Sequence, residues 1–198
     1  MSYNNNNNVL KIEVAVVGHT FTGKSTLCYT LSGRKISMTY DTTIGIDLIS
    51  TNFDNNGIPF KLLLWDMSGN EIFSYIIDDY IKKMSVVLYC YSANEYMSFV
   101  KMKQRYKLDK ENGRLVDKHI VISMCKCESI DRFNNLDKLG QEFCKKHGYD
   151  FIPTSSTKKI GLVELMSALT KKEQQRISLL NKPTSNVYSQ KLCKCTIL

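Results

Sequence analysis

One stretch of the sequence combines residue types and a spacing that suit phosphate binding. Residues 18–25 read GHTFTGKS and fit the pattern G-x-x-x-x-G-K-[ST]. Its glycines allow the main chain to curl so that N–H groups point at phosphate oxygens, and a helix that starts there adds partial positive charge. Lys24 would then reach the β and γ phosphates, while the Ser25 hydroxyl would bind Mg²⁺. The stretch therefore predicts a nucleoside triphosphate site, and the alternative is a glycine-containing structural turn.

The order of apolar patterns predicts the elements that position this loop. Strand-like runs occupy residues 9–17, 45–54, 58–65, 86–91, 119–124 and 151–153, and helical patterns lie near 24–32, 71–82, 94–108, 131–147 and 160–179. Asn55, Asn56 and Gly57 tolerate positive φ and favour a tight antiparallel hairpin. The sequence thus predicts an α/β fold of the P-loop NTPase type. Its sheet would be mostly parallel and six-stranded, with one antiparallel strand, helices on both faces and ligands at the carboxyl ends of the strands.

Length and composition argue against several classes of protein. The 198 residues suit one domain, with 43% hydrophobic and 23% charged residues. The seven cysteines lack paired C-x-x-C spacing, which disfavours a disulfide framework or a zinc site, and no apolar run approaches the ~18 residues of a membrane span. The formal charge is +8, but basic residues are not clustered with aromatics, so nucleic-acid binding is not expected.

Both ends of the chain differ in composition from its middle. Residues 1–8 contain an asparagine run and are expected to be a disordered leader. From about Asn181 the helical pattern fades into polar sequence with Pro183. We therefore expect a folded domain over residues 9–180 and a flexible tail over residues 181–198.

Two further motifs follow the phosphate loop. Residues 41–47 read DTTIGID and residues 64–71 read LWDMSGNE. In order and spacing, the three motifs resemble the Ras superfamily of small GTPases, most closely the Rab family, in which T-I-G-V-D-F and W-D-T-A-G-Q-E-x-F are typical. The resemblance covers about residues 9–180. It implies a GTP/GDP switch in vesicle trafficking that binds effector, exchange-factor and activating proteins.

The resemblance also implies roles for individual residues. Thr43 would ligate Mg²⁺ and sense the γ phosphate, Asp66 would support the ion through water, and the Gly69 amide would contact the γ phosphate. The implied catalytic residues are Lys24, Thr43 and Asn70, and the implied metal ligands are Ser25, Thr43 and Asp66. The implied nucleotide-binding residues are Gly18, His19, Thr20, Phe21, Thr22, Gly23, Lys24, Ser25, Thr26, Thr43, Asp66, Gly69, Lys126, Glu128, Ser155, Ser156 and Thr157. The alternatives are an ordinary loop threonine at position 43 and a strand-end cap at position 66.

Several positions near the phosphates depart from the family pattern. Asn70 stands where most members have the glutamine that orients the attacking water, and its side chain is one methylene shorter. Thr20 and Phe21 replace small residues and would crowd the space used by a catalytic arginine. Both departures predict slow or partner-dependent hydrolysis of GTP.

Base recognition departs from the family pattern as well. Residues 125–128 read CKCE where the family has N-K-x-D, and residues 155–157 read SST where the family has S-A-K. Ile36 occupies the position of the family's aromatic residue that packs over the base. Glu128 keeps the carboxylate that accepts guanine N1–H and N2–H₂, whereas Cys125 cannot make the bonds of asparagine. We expect lower affinity, with guanine still preferred to adenine, whose N1 is an acceptor. For Lys126 the alternative is a solvated surface lysine.

The last four residues, CTIL, fit the C-a-a-X pattern with a final leucine, which favours geranylgeranylation of Cys195. Cys193 would accept a second acyl group, and nearby lysines would attract anionic lipid. The expected location is the cytoplasmic face of an intracellular or plasma membrane, in exchange with the cytosol. Because Rab proteins more often end in C-C or C-x-C, a Rho-like or Ras-like assignment stays open, as does a solvated tail. A second hypothesis for function is a lipidated scaffold with weak or no nucleotide turnover.

Overall fold

The computed structural model describes residues 9–35, 42–129 and 135–180, in which strands and helices alternate. The strands are β1 (Leu10–Val17), β2 (Ile46–Asn55), β3 (Ile58–Met67), β4 (Val86–Ser92), β5 (His119–Cys125) and β6 (Asp150–Pro153). The α-helices are α1 (Lys24–Leu31), α2 (Ser74–Lys83), α3 (Tyr96–Glu111), α4 (Leu136–His147) and α5 (Leu162–Leu180), and short 3₁₀ helices occupy Glu71–Phe73 and Cys127–Ser129. The predictions for residues 1–8, for Ile36 and for the tail with Cys193 and Cys195 lie outside the described residues.

The strands of the described chain form one six-stranded sheet in the order β2-β3-β1-β4-β5-β6. β2 pairs antiparallel with β3, and all other neighbouring pairs are parallel. The predicted fold class is therefore confirmed. Val16, near the end of β1, pairs with Asp66 on one side and Leu88 on the other. The loop that leaves β1 thus begins beside the carboxyl end of β3.

Two hydrophobic cores lie on opposite faces of the sheet. In β1, Val14 and Val16 pack in the core that includes residues of α1 and α5, whereas Ala15 and Val17 pack in the core that includes residues of α2, α3 and α4. All four side chains are buried. A strand whose two faces both meet helices reads as a continuous apolar run, which is why β1 loses its alternation.

The β2–β3 hairpin has the predicted tight turn. Asn56 and Gly57 have φ angles of 54° and 81°, and a type I′ turn requires positive φ at both central positions. The Asp54 carboxylate accepts the Gly57 N–H at 2.8 Å. Because the turn needs only two residues, Asn55 continues β2 and pairs with Ile58.

A buried amide fastens this turn end of the hairpin to α5. Asn55 Nδ2 donates to the Thr170 hydroxyl at 2.8 Å and to Gln174 Oε1 at 3.1 Å. Asn55 is 7% exposed, so its amide depends on these acceptors rather than on water.

A closed ring of four charged side chains joins α2 to α3. Asp78 accepts from Arg105 Nη2 at 2.5 Å and from Arg114 Nη2 at 2.6 Å. Asp109 accepts from Arg105 Nε at 2.9 Å and from Arg114 Nη1 at 3.1 Å. The Tyr89 hydroxyl donates to the same buried Asp109 carboxylate at 2.7 Å. Each carboxylate therefore binds both guanidinium groups.

Three helical predictions are wrong at their starts, and one of them is α3, which begins at Tyr96 rather than near residue 94. The pattern predicted near residues 71–82 divides into the 3₁₀ helix Glu71–Phe73 and then α2. α5 begins only at Leu162 because Lys159 and Gly161, with φ of 55° and 70°, belong to the preceding turn. For α4, which begins at Leu136, the start predicted near residue 131 lies outside the described residues. Among the described helices, none is long and apolar enough to cross a membrane.

Candidate nucleotide-binding site

Two glycines let the predicted phosphate loop take its path between β1 and α1. A Cβ atom on Gly18 would lie 2.3 Å from the Cys90 carbonyl oxygen, so only glycine allows β1 to end this close to β4. Gly23 has a φ of 98° and immediately precedes α1. This conformation costs glycine little, and it points the loop into the first turn of the helix.

Lys24, the first residue of α1, folds back over this loop. Its Nζ donates to the His19 carbonyl oxygen at 2.8 Å, and the Thr22 hydroxyl donates to the same oxygen at 3.0 Å. Burial lowers the pKa of the Lys24 ammonium, and the charge of Asp66 opposes this shift. An ammonium carries three donors, so the bond to His19 leaves capacity for phosphate oxygens.

Three oxygen-bearing side chains from separate segments meet next to this lysine. The Ser25 and Thr43 hydroxyls lie 2.9 Å apart, and Thr43 Oγ1 donates to Asp66 Oδ2 at 3.0 Å. Burial raises the pKa of Asp66, while the hydrogen bond from Ser25 and the charge of Lys24 oppose the rise. The second carboxylate oxygen, Asp66 Oδ1, is buried without a hydrogen-bond partner in the described part of the chain.

This donor set fits a magnesium ion. Mg²⁺ prefers hard oxygen ligands, and two hydroxyls beside a buried carboxylate with an unsatisfied oxygen supply them. Ser25, Thr43 and Asp66 would hold the ion, which when bound would neutralise charge on the β and γ phosphates. Thr43 and Asp66 are in direct contact with each other, although they lie on either side of the β2–β3 hairpin.

The segment after β3 runs against the phosphate loop. A Cβ atom on Gly69 would lie 2.2 Å from the Thr20 backbone nitrogen, so a side chain at this position would separate the two segments. Asn70 follows, and its Oδ1 accepts the Ile72 N–H at 3.1 Å, which caps the 3₁₀ helix Glu71–Phe73. Sequence reasoning missed this cap, although asparagine before a short helical segment is a recognised N-cap signal.

These segments surround an open cleft of about 870 Å³. That volume lies in the usual range for sites of small organic ligands. Of the residues predicted for the site, Thr20, Phe21, residues 23–26, Thr43, Gly69 and Asn70 line this cleft. The predicted base-binding residues Lys126, Glu128 and 155–157 do not line it. Its lining also includes residues to which the sequence analysis gave no binding role: Tyr29, Thr42, Ile44, Ile46, Asp47, Ser68, Ile72 and Phe73.

Lys126 connects the loop after β5 with the phosphate loop. Its Nζ donates to the Phe21 carbonyl oxygen at 2.8 Å, so the ammonium has a partner on the phosphate loop. Phe21 has a φ of 62°, an uncommon conformation for a bulky residue, and its side chain is 56% exposed. Cys125 lies in the core, where a hydrogen bond with the Cys90 thiol is the main cause that lowers its pKa.

The predicted base-binding residues lie together at the carboxyl ends of β5 and β6. Thr157 Oγ1 donates to Glu128 Oε1 at 2.7 Å. Partial burial acts to raise the pKa of Glu128, but hydrogen bonds from Ser155 and Thr157 outweigh it, so the pKa is lowered. Glu128 is therefore an ionised acceptor at neutral pH. Ser155 is buried, and Ser156 is half-buried beside it.

Comparison with known proteins agrees with this geometry. The sequence model of the Ras family matches residues 13–175 of the chain. The chain belongs to the Ras family. The family assignment based on its motifs is thereby confirmed, and the chain is a small GTPase of Rab-like type.

Several Ras-related proteins are similar to this Ras-family chain over most of its length. The Ras-related protein SEC4 of Saccharomyces cerevisiae is 27% identical over 166 residues, which cover 84% of this chain and 76% of that protein. Rab-13 of Bos taurus is 28% identical over 181 residues, which cover 87% of each chain. RabQ of Dictyostelium discoideum is 25% identical over 182 residues, which cover 91% of this chain and 86% of that protein.

Proposed function

We propose that this chain is a GTP/GDP switch that binds nucleotide with Mg²⁺ in the cleft and recruits effector proteins in vesicle trafficking. The observation that carries the proposal is the meeting of Ser25, Thr43 and Asp66 beside Lys24. These are the groups that a triphosphate and its metal ion require, and they come from three separate segments. Exchange factors and activating proteins would control the two nucleotide states.

The switch itself would depend on two segments on either side of the hairpin. Thr43 precedes β2 and contacts Ser25, and Gly69 follows β3 and lies against Thr20. Both segments therefore adjoin the phosphate loop. A γ phosphate would hold both segments, and its loss would release them. The nucleotide state would thus be converted into a change of surface that a partner protein can recognise.

Isothermal titration with GTP, GDP and ATP in the presence of Mg²⁺ tests the binding. We expect saturation by GTP and GDP at concentrations where ATP shows none. Thr43→Ala should weaken the binding of a non-hydrolysable GTP analogue more than the binding of GDP. Thr43→Ser keeps the hydroxyl and should bind both nucleotides like wild type. If no nucleotide bound at millimolar concentration, the lipidated scaffold would be the better account.

Hydrolysis would be slow or would depend on an activating protein. The Asn70 amide oxygen accepts the Ile72 N–H, which directs the side chain to the 3₁₀ helix Glu71–Phe73, and the side chain is too short to replace glutamine in orienting water. Thr20 and Phe21 both line the cleft, where their bulk would hinder an incoming arginine. A single-turnover rate as fast as that of an activated GTPase would contradict this proposal.

Membrane attachment would use the tail. Cys195 would carry a prenyl group and Cys193 a second acyl group, and both residues lie outside the described structure. Cys195→Ser should move the protein from the membrane to the soluble fraction of cells, with Cys144→Ser, a buried core cysteine, as the control. Unchanged membrane association of Cys195→Ser would reject the lipid anchor.

A further inference from the structure

The loops that follow β5 and β6 are joined through their backbones. The Cys127 N–H donates to the Thr154 carbonyl oxygen at 3.0 Å, and the Thr154 N–H donates to the Met124 carbonyl oxygen at 2.8 Å. Ser155 and Ile160 exchange two backbone hydrogen bonds of 3.0 Å, which close the second loop at its base. The backbone beneath the predicted base site is therefore well fixed.

The acceptor on this platform is a long and exposed side chain. Glu128 extends from the 3₁₀ helix Cys127–Ser129, and its carboxylate is separated from the backbone by two methylene groups. A free glutamate samples many rotamers, and each additional rotamer reduces the fraction of time in which both oxygens face a ligand. A fixed backbone alone does not fix this carboxylate.

A short series of hydroxyl contacts supplies what the backbone lacks. The Lys158 N–H donates to Ser155 Oγ at 3.0 Å, and the Ser155 and Thr157 hydroxyls lie 3.2 Å apart. Thr157 Oγ1 in turn donates to Glu128 Oε1 at 2.7 Å. Ser155 also hydrogen-bonds to Glu128, so both hydroxyls hold the carboxylate, and Thr157 is the one whose exposed side chain buries no core surface.

We propose that the Thr157 hydroxyl is a positioning group that holds the Glu128 carboxylate in the plane needed to recognise guanine, and so sets the preference for guanine over hypoxanthine. The inference rests on the proposed binding of guanine nucleotides. Guanine presents N1–H and N2–H₂ as adjacent donors, whereas hypoxanthine lacks the exocyclic amine. A carboxylate accepts both guanine donors only when its two oxygens are held in register with them.

The test compares the dissociation constants of GDP and IDP, each with Mg²⁺, for four proteins. Wild type should prefer GDP by about tenfold or more, since a hydrogen bond to a charged group is at stake. Thr157→Val keeps the shape of the side chain but removes the hydroxyl. It should reduce the ratio of the IDP dissociation constant to the GDP dissociation constant by about fivefold, chiefly by weakening the binding of GDP. Thr157→Ser keeps a hydroxyl and should keep the wild-type ratio. Lys159→Ala, a change at an exposed residue of the same loop, should leave it unchanged.

The ratio separates a positioning role from a merely structural one. If Thr157→Val left the ratio at its wild-type value, either by weakening the binding of both nucleotides equally or by changing neither, the inference would be overturned while the proposed function stood. If wild type bound neither nucleotide, the proposed function would fail first, and the inference with it. Because Thr157 is exposed, the valine variant is expected to fold, and circular dichroism checks this directly.

Discussion

Asn70 offers the most direct test at the scale of a single residue. Asn70→Gln lengthens the side chain and exchanges a good helix cap for a poor one, which frees the amide to reach the attacking water. We expect a faster single-turnover hydrolysis of GTP. Asn70→Ala removes the cap, at a cost of about 1 kcal/mol in stability, without supplying an amide, and should not increase the rate. A glutamine variant no faster than wild type would show that this position does not limit hydrolysis.

Asp66 should show opposite effects on stability and on metal binding. Burial raises its pKa, so the folded state favours the protonated carboxyl, and the ionised form at neutral pH reduces stability. The penalty diminishes as the pH falls through the raised pKa. Asp66→Asn keeps an acceptor for Thr43 but carries no charge. In the nucleotide-free protein at pH 7 it should raise the midpoint of thermal unfolding.

Titration with Mg²⁺ in the presence of GDP completes the test of Asp66. The same Asp66→Asn variant should require more Mg²⁺ than wild type for tight GDP binding, because it lacks the carboxylate charge. Ser123→Ala, which alters a buried hydroxyl of β5 away from the metal-binding set, is the control. A lower unfolding midpoint with unchanged Mg²⁺ dependence would contradict the assignment of Asp66 to the metal.

At the scale of elements, the charged ring should fix α2 on α3. Asp78→Asn leaves two guanidinium groups with a weaker acceptor, and we expect a loss of about 1–3 kcal/mol, measured by urea denaturation. Amide hydrogen exchange should increase in α2 more than in α1. Asp79→Asn is the matched control, since its partner Lys82 and Asp79 itself are both exposed. Equal effects of the two substitutions would argue against the ring.

At the scale of the whole molecule, nucleotide binding should increase the free energy of unfolding. At 100 times its dissociation constant, GDP with Mg²⁺ should add about 2.7 kcal/mol, which is roughly 5–10 °C in the unfolding midpoint of a domain this size. Lys24→Ala should remove most of this gain, and Lys138→Ala, at an exposed position of α4, should keep it. A shift produced equally by ATP would contradict guanine preference.

The sequence predicted the sheet and the phosphate loop because both depend on local patterns. Continuous apolar runs identify buried strands, and the spacing of Gly18, Gly23 and Lys24 identifies the loop. The Asn70 cap and the contact of Lys126 with Phe21 depend instead on how separate segments approach one another. Helix starts were the weakest predictions. α5, for example, begins two residues after its predicted start, because Gly161 has a positive φ and belongs to the preceding turn.

The anchored amide of Asn55 has a consequence for how movement can spread. If β2 slid along β3 by one or two residues, Asn55 would lose both acceptors on α5 while still buried, at a cost of about 1–3 kcal/mol in addition to the broken ladder. The strand pair is therefore expected to keep its alignment through the nucleotide cycle. Rearrangement would then be confined to the nucleotide end of the sheet, and α5 would stay stationary.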